Sequence, residues 1–260
     1  MEILLLIISG AISGILSGML GIGGGLIIVP TLYFLFHYQG LFETHIMQVA
    51  ASTSLAISLL LSLSASVVQH YRKTILYPAL LFLIPGLIIG SISGAILAHF
   101  LSSELIRHIF GIGAILMGIY FMFPKLPHLH IASSPNRSLS FFGVIIGTCS
   151  SLLGIGGGIL TFPILLGYGM NAKNASATSS CITAISCFLG TITYLLLTWK
   201  DPQINSVIGY IDPHSFLIIG ISSLLTVHLG IKLAHLLNTS LIKQIFGICL
   251  SFVGLTMIIF

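Results

Sequence analysis

Charge is nearly absent from this sequence. Of its 260 residues 5% are charged, nine basic and five acidic, where an ordinary soluble domain carries about 25%. A water-soluble fold of this length could not cover its surface with so few. The acidic residues are Glu2, Glu43, Glu104, Asp201 and Asp212, and none lies in the middle of an apolar stretch. That speaks against a carboxylate-based proton or sodium site deep in an apolar medium. Basic runs are scarce too. A formal net charge of +4, dispersed along the chain, lacks the clustered basic face of a nucleic-acid binder. The four cysteines, Cys149, Cys181, Cys187 and Cys249, form no C-x-x-C pair. Zinc and redox motifs are therefore unsupported, and no metal or other cofactor is expected. The start, Met1-Glu2-Ile3-Leu4-Leu5, has neither the basic n-region nor the cleavage site of a signal peptide. It reads as a first membrane segment.

What fills the space is apolar: 56% of residues are hydrophobic and the mean hydropathy is +1.14. Nearly the whole chain must sit in lipid. Its apolar runs are continuous rather than alternating, which selects helices over a barrel. The expected fold is all-α, a polytopic integral membrane protein with about eight hydrophobic segments. These cover 3–38, 46–69, 76–100 and 105–123, then 139–168, 175–199, 214–237 and 241–260. Between the two sets lies a stretch rich in Pro, Ser and charge. The layout is a first membrane repeat over 1–123, a polar linker over 124–138 and a second repeat over 139–260.

The repeat is visible in the residues. Leu20-Gly21-Ile22-Gly23-Gly24-Gly25 returns 133 positions later as Leu153-Gly154-Ile155-Gly156-Gly157-Gly158. Gly14–Pro30 matches Gly147–Pro163 at 9 of 17 positions. Ile96–Ile112 matches Lys232–Ile248 at 10 of 17, and Ser52-Thr53-Ser54 corresponds to Ala177-Thr178-Ser179. Three blocks in one order mark a duplicated unit.

Glycine inside a membrane helix marks a break or a close approach of backbone. Breaks at matching places in two halves point to a transporter's binding site. A Gly-rich break exposes backbone N–H groups and starts a new helix, whose first turn carries about half a positive charge. Two such starts make an anion site without Lys or Arg, and the broken segments contain neither. The substrate-binding candidates are therefore Gly21, Gly23, Gly24, Gly25, Gly154, Gly156, Gly157 and Gly158. The hydroxyls of Ser52, Thr53, Ser54, Thr178 and Ser179 join them as donors to an oxyanion. Their bland alternatives are small-residue helix packing for the glycines and bonds to helix carbonyls for the hydroxyls.

Gly14-x-x-Ser17-Gly18-x-Leu20-Gly21-Ile22-Gly23-Gly24-Gly25, closing in Val29-Pro30, resembles the signature of the TauE/SafE family of sulfite exporters. Gly147-x-x-Ser150 through Gly158 to Phe162-Pro163 resembles it again, and Thr53-Ser54 and Thr178-Ser179 are similar to the Thr-Ser pairs that follow in that family. Ser151 departs from the pattern of the first copy, which has Gly18. The resemblance implies a permease for small sulfur-containing anions such as sulfite or a sulfonate. A carrier working by alternating access between the repeats is the leading expectation, and a passive anion channel is the alternative. An intramembrane serine hydrolase is disfavoured, because no Ser sits in Gly-x-Ser-Gly and one nucleophile needs no duplication. The chain is therefore not expected to be an enzyme.

Ten histidines are the remaining titratable groups. His70, His99 and His235 are candidates for proton coupling, with His228 inside the seventh stretch. The expected surroundings are a small anionic substrate and the lipid bilayer, in a bacterial-type plasma membrane, with no nucleic acid and a homo-oligomer left open. If all eight stretches cross once, Arg72, Lys73, Lys125, Arg137 and Lys200 share the side of both termini, against Arg107, Lys173, Lys232 and Lys243. Five against four leans towards cytoplasmic termini. Whether the glycine breaks are kinks in crossing helices or the tips of re-entrant hairpins stays open. The segment Leu26–Tyr38 spans only about 20 Å, short of a ~30 Å hydrocarbon core.

Overall fold

A computed structural model describes residues 2–21, 23–123, 138–198, 207–236 and 239–259. Ten helices are described: α1 (Glu2–Leu20), α2 (Gly25–Gln39), α3 (Ile46–Tyr71), α4 (Tyr77–Phe100), α5 (Ser103–Met122), α6 (Ser138–Leu153), α7 (Gly158–Gly167), α8 (Ala172–Thr198), α9 (Pro213–Leu236) and α10 (Thr239–Ile259). No β-strand occurs among the described residues beyond one isolated bridge, Ile208–Ile211. The first and fifth apolar stretches each break in two at their glycine run, which turns eight stretches into ten helices. Among the described residues six helices are long and apolar enough to cross a bilayer: α1, α3, α4, α5, α8 and α9. The expected linker falls almost wholly on 124–137, outside the described residues.

The burial pattern is that of a protein in lipid. Ile3, Leu4, Leu81, Leu116, Leu225 and Phe252 are exposed on the outer helices, while the hydroxyls of Ser52, Thr53, Ser54, Ser58, Ser150, Ser186 and Thr183 are buried in the middle. The most apolar window of α3 is 83% buried against 33% for α1 and 39% for α4, so α3 stands at the centre.

Small residues set the helix pairs. Gly10, Gly14 and Gly18 form one stripe on α1, and Gly86, Gly90 and Gly94 form another on α4. A β-carbon at any of the six would collide with backbone of the facing helix. Without a hydrophobic drive between helices in lipid, such close backbone approach supplies the packing energy. The order of the contacts fixes direction. Gly10 meets Ile219 and Ser222 while Gly18 meets Val227 and Ile231, so α1 runs parallel to α9. Gly86 meets Ser140 and Val144 while Gly94 meets Thr148, so α4 runs parallel to α6. Gly111 meets Gly254 and Gly118 meets Gly247, so α5 and α10 are antiparallel.

The central pair α3–α8 is antiparallel as well. Thr53, near the start of α3, bonds Asp212, which follows the end of α8. Thr178, near the start of α8, bonds Leu76, which follows the end of α3. One end of the bundle therefore holds the starts of α1, α3, α5 and α9 and the ends of α4, α8 and α10. We call it the Glu2 end. The other, the Arg72 end, holds the starts of α4, α6, α8 and α10 and the ends of α3, α5 and α9.

The glycine breaks are turns of hairpins rather than kinks. The Ser138 hydroxyl at the start of α6 bonds the Tyr168 hydroxyl just past α7, so both arms of α6–α7 open at the Arg72 end. In the other half, α2 is joined to the start of α3 by only six residues, and α1 starts at that same Glu2 end. The α1–α2 hairpin thus enters from the opposite direction to α6–α7. This also revises the tally of basic residues. The starting point of α1 lies at the opposite end of the bundle from Arg72, because the first glycine-broken stretch returns to the end where it entered.

Candidate functional site

The two hairpin tips meet in the core of the bundle. Each is a turn that side chains would obstruct. Gly21, Gly23 and Gly24 have φ of 69°, 84° and 71°, and Gly154, Gly156 and Gly157 have 73°, 82° and 79°. An L-residue with a β-carbon is strained in this left-handed region by about 1–2 kcal/mol. Three such residues within four positions reverse the chain. Gly24 and Gly157 then stand as the left-handed caps from which α2 and α7 start. A β-carbon at Gly25 would strike the Gly154 carbonyl and lie 2.8 Å from Ile155 Cα, so the tips touch. Both flank the same pair of side chains. A β-carbon at Gly23 or at Gly156 would sit 2.8 or 3.0 Å from Thr183 Cγ2, and 3.6 Å from Ser58 Cβ in each case.

Hydroxyls from α3 and α8 tie the tips across the halves. Ser54 Oγ donates to the Gly154 carbonyl at 2.8 Å. Ser179 Oγ lies 2.9 Å from the Gly158 carbonyl and 3.4 Å from that of Gly21. Ser58 Oγ donates to the Gly23 carbonyl at 3.2 Å. The neighbouring threonines act as acceptors: Thr53 Oγ1 takes the Asp212 N–H at 2.9 Å and Thr178 Oγ1 takes the Leu76 N–H at 3.0 Å. Each thus satisfies a backbone donor at the entry of a helix in the other half. Ser52 Oγ donates to the Gly209 carbonyl at 3.3 Å. Thr53-Ser54 and Thr178-Ser179 therefore do the same work in mirrored places, one capping a helix entry and one holding a hairpin tip.

What these ties leave free is donor capacity. In the second break Ile155 N–H bonds the Ser150 carbonyl, and Leu160 and Thr161 N–H bond the Gly157 carbonyl. The amides of Gly156, Gly157, Gly158 and Ile159 make no hydrogen bond among the described residues, and all four residues are buried. A buried amide without a partner costs about 1–3 kcal/mol, so four in succession are an uncommon arrangement. The electrostatics agree. The starts of α2 and α7, each carrying about half a positive charge, point at the same region. The opposing carbonyls of Gly21, Gly23, Gly154 and Gly158 already have hydroxyl donors.

Two further features did not stand out in the sequence. Ser91 Oγ lies 3.0 Å from Ser186 Oγ, which donates to Ser150 Oγ at 2.8 Å, a buried chain of three hydroxyls beside the α6–α7 tip. Ser58 and Thr183 are related by the same 125-residue offset as Thr53 and Thr178, which could have found them. The proton-coupling candidates are dispersed. His70 is exposed at the end of α3, bonded to Tyr77 Oη at 2.6 Å. His99 is half-buried at the other end, 3.4 Å from Tyr210 Oη, and Tyr210 stacks on His45. His228 is exposed on α9. The side chain of His235 lies outside the described residues. Among the described residues no three His, Cys, Asp or Glu side chains cluster as for a metal ion.

A lipid-facing helical bundle with two broken-helix hairpins meeting at its core is an integral membrane protein with the architecture of a transporter. The chain belongs to the sulfite exporter TauE/SafE family, which it matches over residues 6–257. It is 33% identical over 260 residues to a "probable membrane transporter protein" of Methanocaldococcus jannaschii, covering 98% of this chain and 95% of that one. It is 29% identical over 257 residues to a protein of the same description from Haemophilus influenzae, covering 98% and 97%. A third such relative, YunE of Bacillus subtilis, is 28% identical over 219 residues, covering 75% and 79%. No solved structure matches the chain.

Proposed function

We propose that the protein is a secondary carrier for a small sulfur-containing oxyanion, sulfite or a sulfonate, in a bacterial-type plasma membrane. It is a transporter and not an enzyme in this reading, and the anion binds between the two hairpin tips. The observation that carries it is the run of four buried amides from Gly156 to Ile159 that make no hydrogen bond among the described residues. Successive backbone N–H groups at a helix start form a concave donor set for an anion. Glycine lets a sulfonate oxygen come close to that backbone. Ser54 and Ser179 supply hydroxyls that can turn from the tip carbonyls to the substrate. The family's description supplies the sulfur oxyanion.

A carrier is favoured over a passive pore by the direct packing of one tip on the other at Gly25 and Gly154. The opposed hairpins and antiparallel α3–α8 pair support two repeats of inverted topology, 1–123 and 139–260, in which alternating access exchanges the roles of the halves.

The test is purified protein titrated with sulfite, methanesulfonate, taurine, sulfate and chloride. A ligand at a hundred times its Kd adds about 2.7 kcal/mol to the native state, a visible rise in melting temperature. The same anions are then offered to proteoliposomes. Stabilisation by a sulfur oxyanion together with saturable uptake and counterflow is expected. No stabilisation and no saturable flux under any gradient would remove the proposal, and flux without saturation would turn it into a channel.

A further inference from the structure

The two ends of the bundle differ sharply in charge, a contrast that emerges only once the hairpins are folded. At the Arg72 end lie Arg72 and Lys73 after α3, Lys173 at the start of α8 and Lys232 in the last turns of α9, all exposed. No acidic residue is described there. At the Glu2 end lie Glu2, Glu43, Glu104 and Asp212, with Arg107 the one Lys or Arg described. Among the described residues, four basic and no acidic residues thus face four acidic residues and one basic. His37, His45, His99, His108 and His214 also sit at the Glu2 end.

The near-even tally of nine basic residues along the sequence came from counting each broken stretch as a crossing. As hairpins, those stretches return to the end where they entered. Every later segment in that half is then reversed relative to the count. Arg72 and Lys73 separate from the chain termini, and Lys173 joins them.

We propose that the Arg72 end faces the cytoplasm, against the anionic headgroups of the inner leaflet, and that the start of α1 and the end of α10 face outward. The connections at this end are short where they are described: 72–76 between α3 and α4, and 168–171 between α7 and α8. Short connections are the ones whose Lys and Arg content sets orientation, and an anionic leaflet attracts juxtamembrane cations. The assignment gives each hairpin a side. The α6–α7 hairpin, with its Gly156–Ile159 amides and the Ser91–Ser186–Ser150 chain, is rooted in the cytoplasmic face. The α1–α2 hairpin is rooted outside, under a rim of carboxylates and histidines.

The experiment uses the full chain in a bacterial inner membrane, with alkaline phosphatase or green fluorescent protein fused after Phe260. Active phosphatase and a dark fluorescent fusion are expected. The reverse, or activity of both, overturns the proposal. A second arm adds Glu43→Cys or Lys73→Cys to the otherwise unchanged chain and measures membrane-impermeant maleimide labelling above the parent. Glu43→Cys should label in intact spheroplasts and Lys73→Cys only in inside-out vesicles; equal or exchanged labelling again overturns it. Neither arm involves transport, so the orientation stands or falls separately from the anion reading.

Discussion

Replacing Gly157 by alanine separates two consequences of a β-carbon that most glycine substitutions mix. Gly157 and Gly169 have nearly the same backbone, with φ of 79° and 77°. Alanine at either must accept the left-handed region, about 1–2 kcal/mol. Their surroundings differ completely. A β-carbon at Gly157 would lie 3.0 Å from Ile146 Cγ2 and 3.3 Å from Ser150 Cβ, whereas nothing lies within 4 Å of one at Gly169. Overpacking a tight site adds about 1–3 kcal/mol. Gly157→Ala should therefore be about 2–5 kcal/mol less stable than the parent and Gly169→Ala only about 1–2. The measurement is unfolding free energy in mixed micelles, titrated with denaturing detergent, on all three proteins. Gly24→Ala and Gly40→Ala repeat the comparison in the first half, with 3.1 Å to Ser13 Cβ against open space. Equal destabilisation within either pair would refute the packed-tip geometry. If the paired losses match this arithmetic but substrate stabilisation survives in Gly157→Ala, the tips pack as described and the anion lies elsewhere.

Thr53→Val and Thr178→Val each leave one helix-entry N–H, of Asp212 or Leu76, without its acceptor. Each should lower stability by about 0.5–2 kcal/mol, the usual loss at a helix cap, and Ser at either position should restore it; unchanged unfolding in both valine variants would refute the capping role. Ser186→Ala removes the middle member of the Ser91–Ser186–Ser150 chain. It should cost about 1–2 kcal/mol, while Ser251→Ala, whose hydroxyl bonds its own helix at Gly247, should change the same unfolding curve by less.

The breaks were legible because the glycine run occurs twice in the sequence. A lone glycine run is ambiguous, but two with a proline after each constrain one another, and their φ angles agree within about ten degrees at each matched site. The direction of the chain after each break was not legible. Whether α7 continues or returns depends on Ser138 meeting Tyr168, thirty residues apart, and no local pattern encodes that. The shortness of the segment after the first break was the one usable hint, and it left both readings open. Thr53, Ser54, Thr178 and Ser179 were found as pairs. Their partners were not, since Ser54 bonds a carbonyl a hundred residues away. The stripes Gly10-Gly14-Gly18 and Gly86-Gly90-Gly94 could have been read from their spacing of four, and they hold the helices that pack most closely. The sidedness count rested on eight crossings, and a positive-inside tally inverts whenever one crossing is miscounted.

Four cross-half ties come in two matched pairs, and that bears on how an anion could drive motion. Ser54 holds the second tip and Ser179 the first; Thr53 and Thr178 each cap a helix of the opposite half. Hydrogen bonds between helices in lipid average about 0.6 kcal/mol each, so releasing the two tip ties asks for little. Under the proposed carrier mechanism, an oxyanion that accepts from Ser54 and Ser179 replaces those bonds and also takes up the amides of Gly156–Ile159, which make no hydrogen bond among the described residues. The gain is thus concentrated in states where a substrate lies between the tips. Under the proposed inverted repeats the outward and inward arrangements are near equivalents, so neither needs a large preference. The Ser91–Ser186–Ser150 chain breaks that equivalence. At the matching offsets the residues beside the α1–α2 tip are Val227, Leu61 and Ser17, two of them apolar, so the α6–α7 tip rests on hydroxyls where the α1–α2 tip rests largely on hydrocarbon. Under the proposed carrier mechanism the two tips differ in their ease of wetting, and the α6–α7 side is the one that water and substrate reach at lower cost.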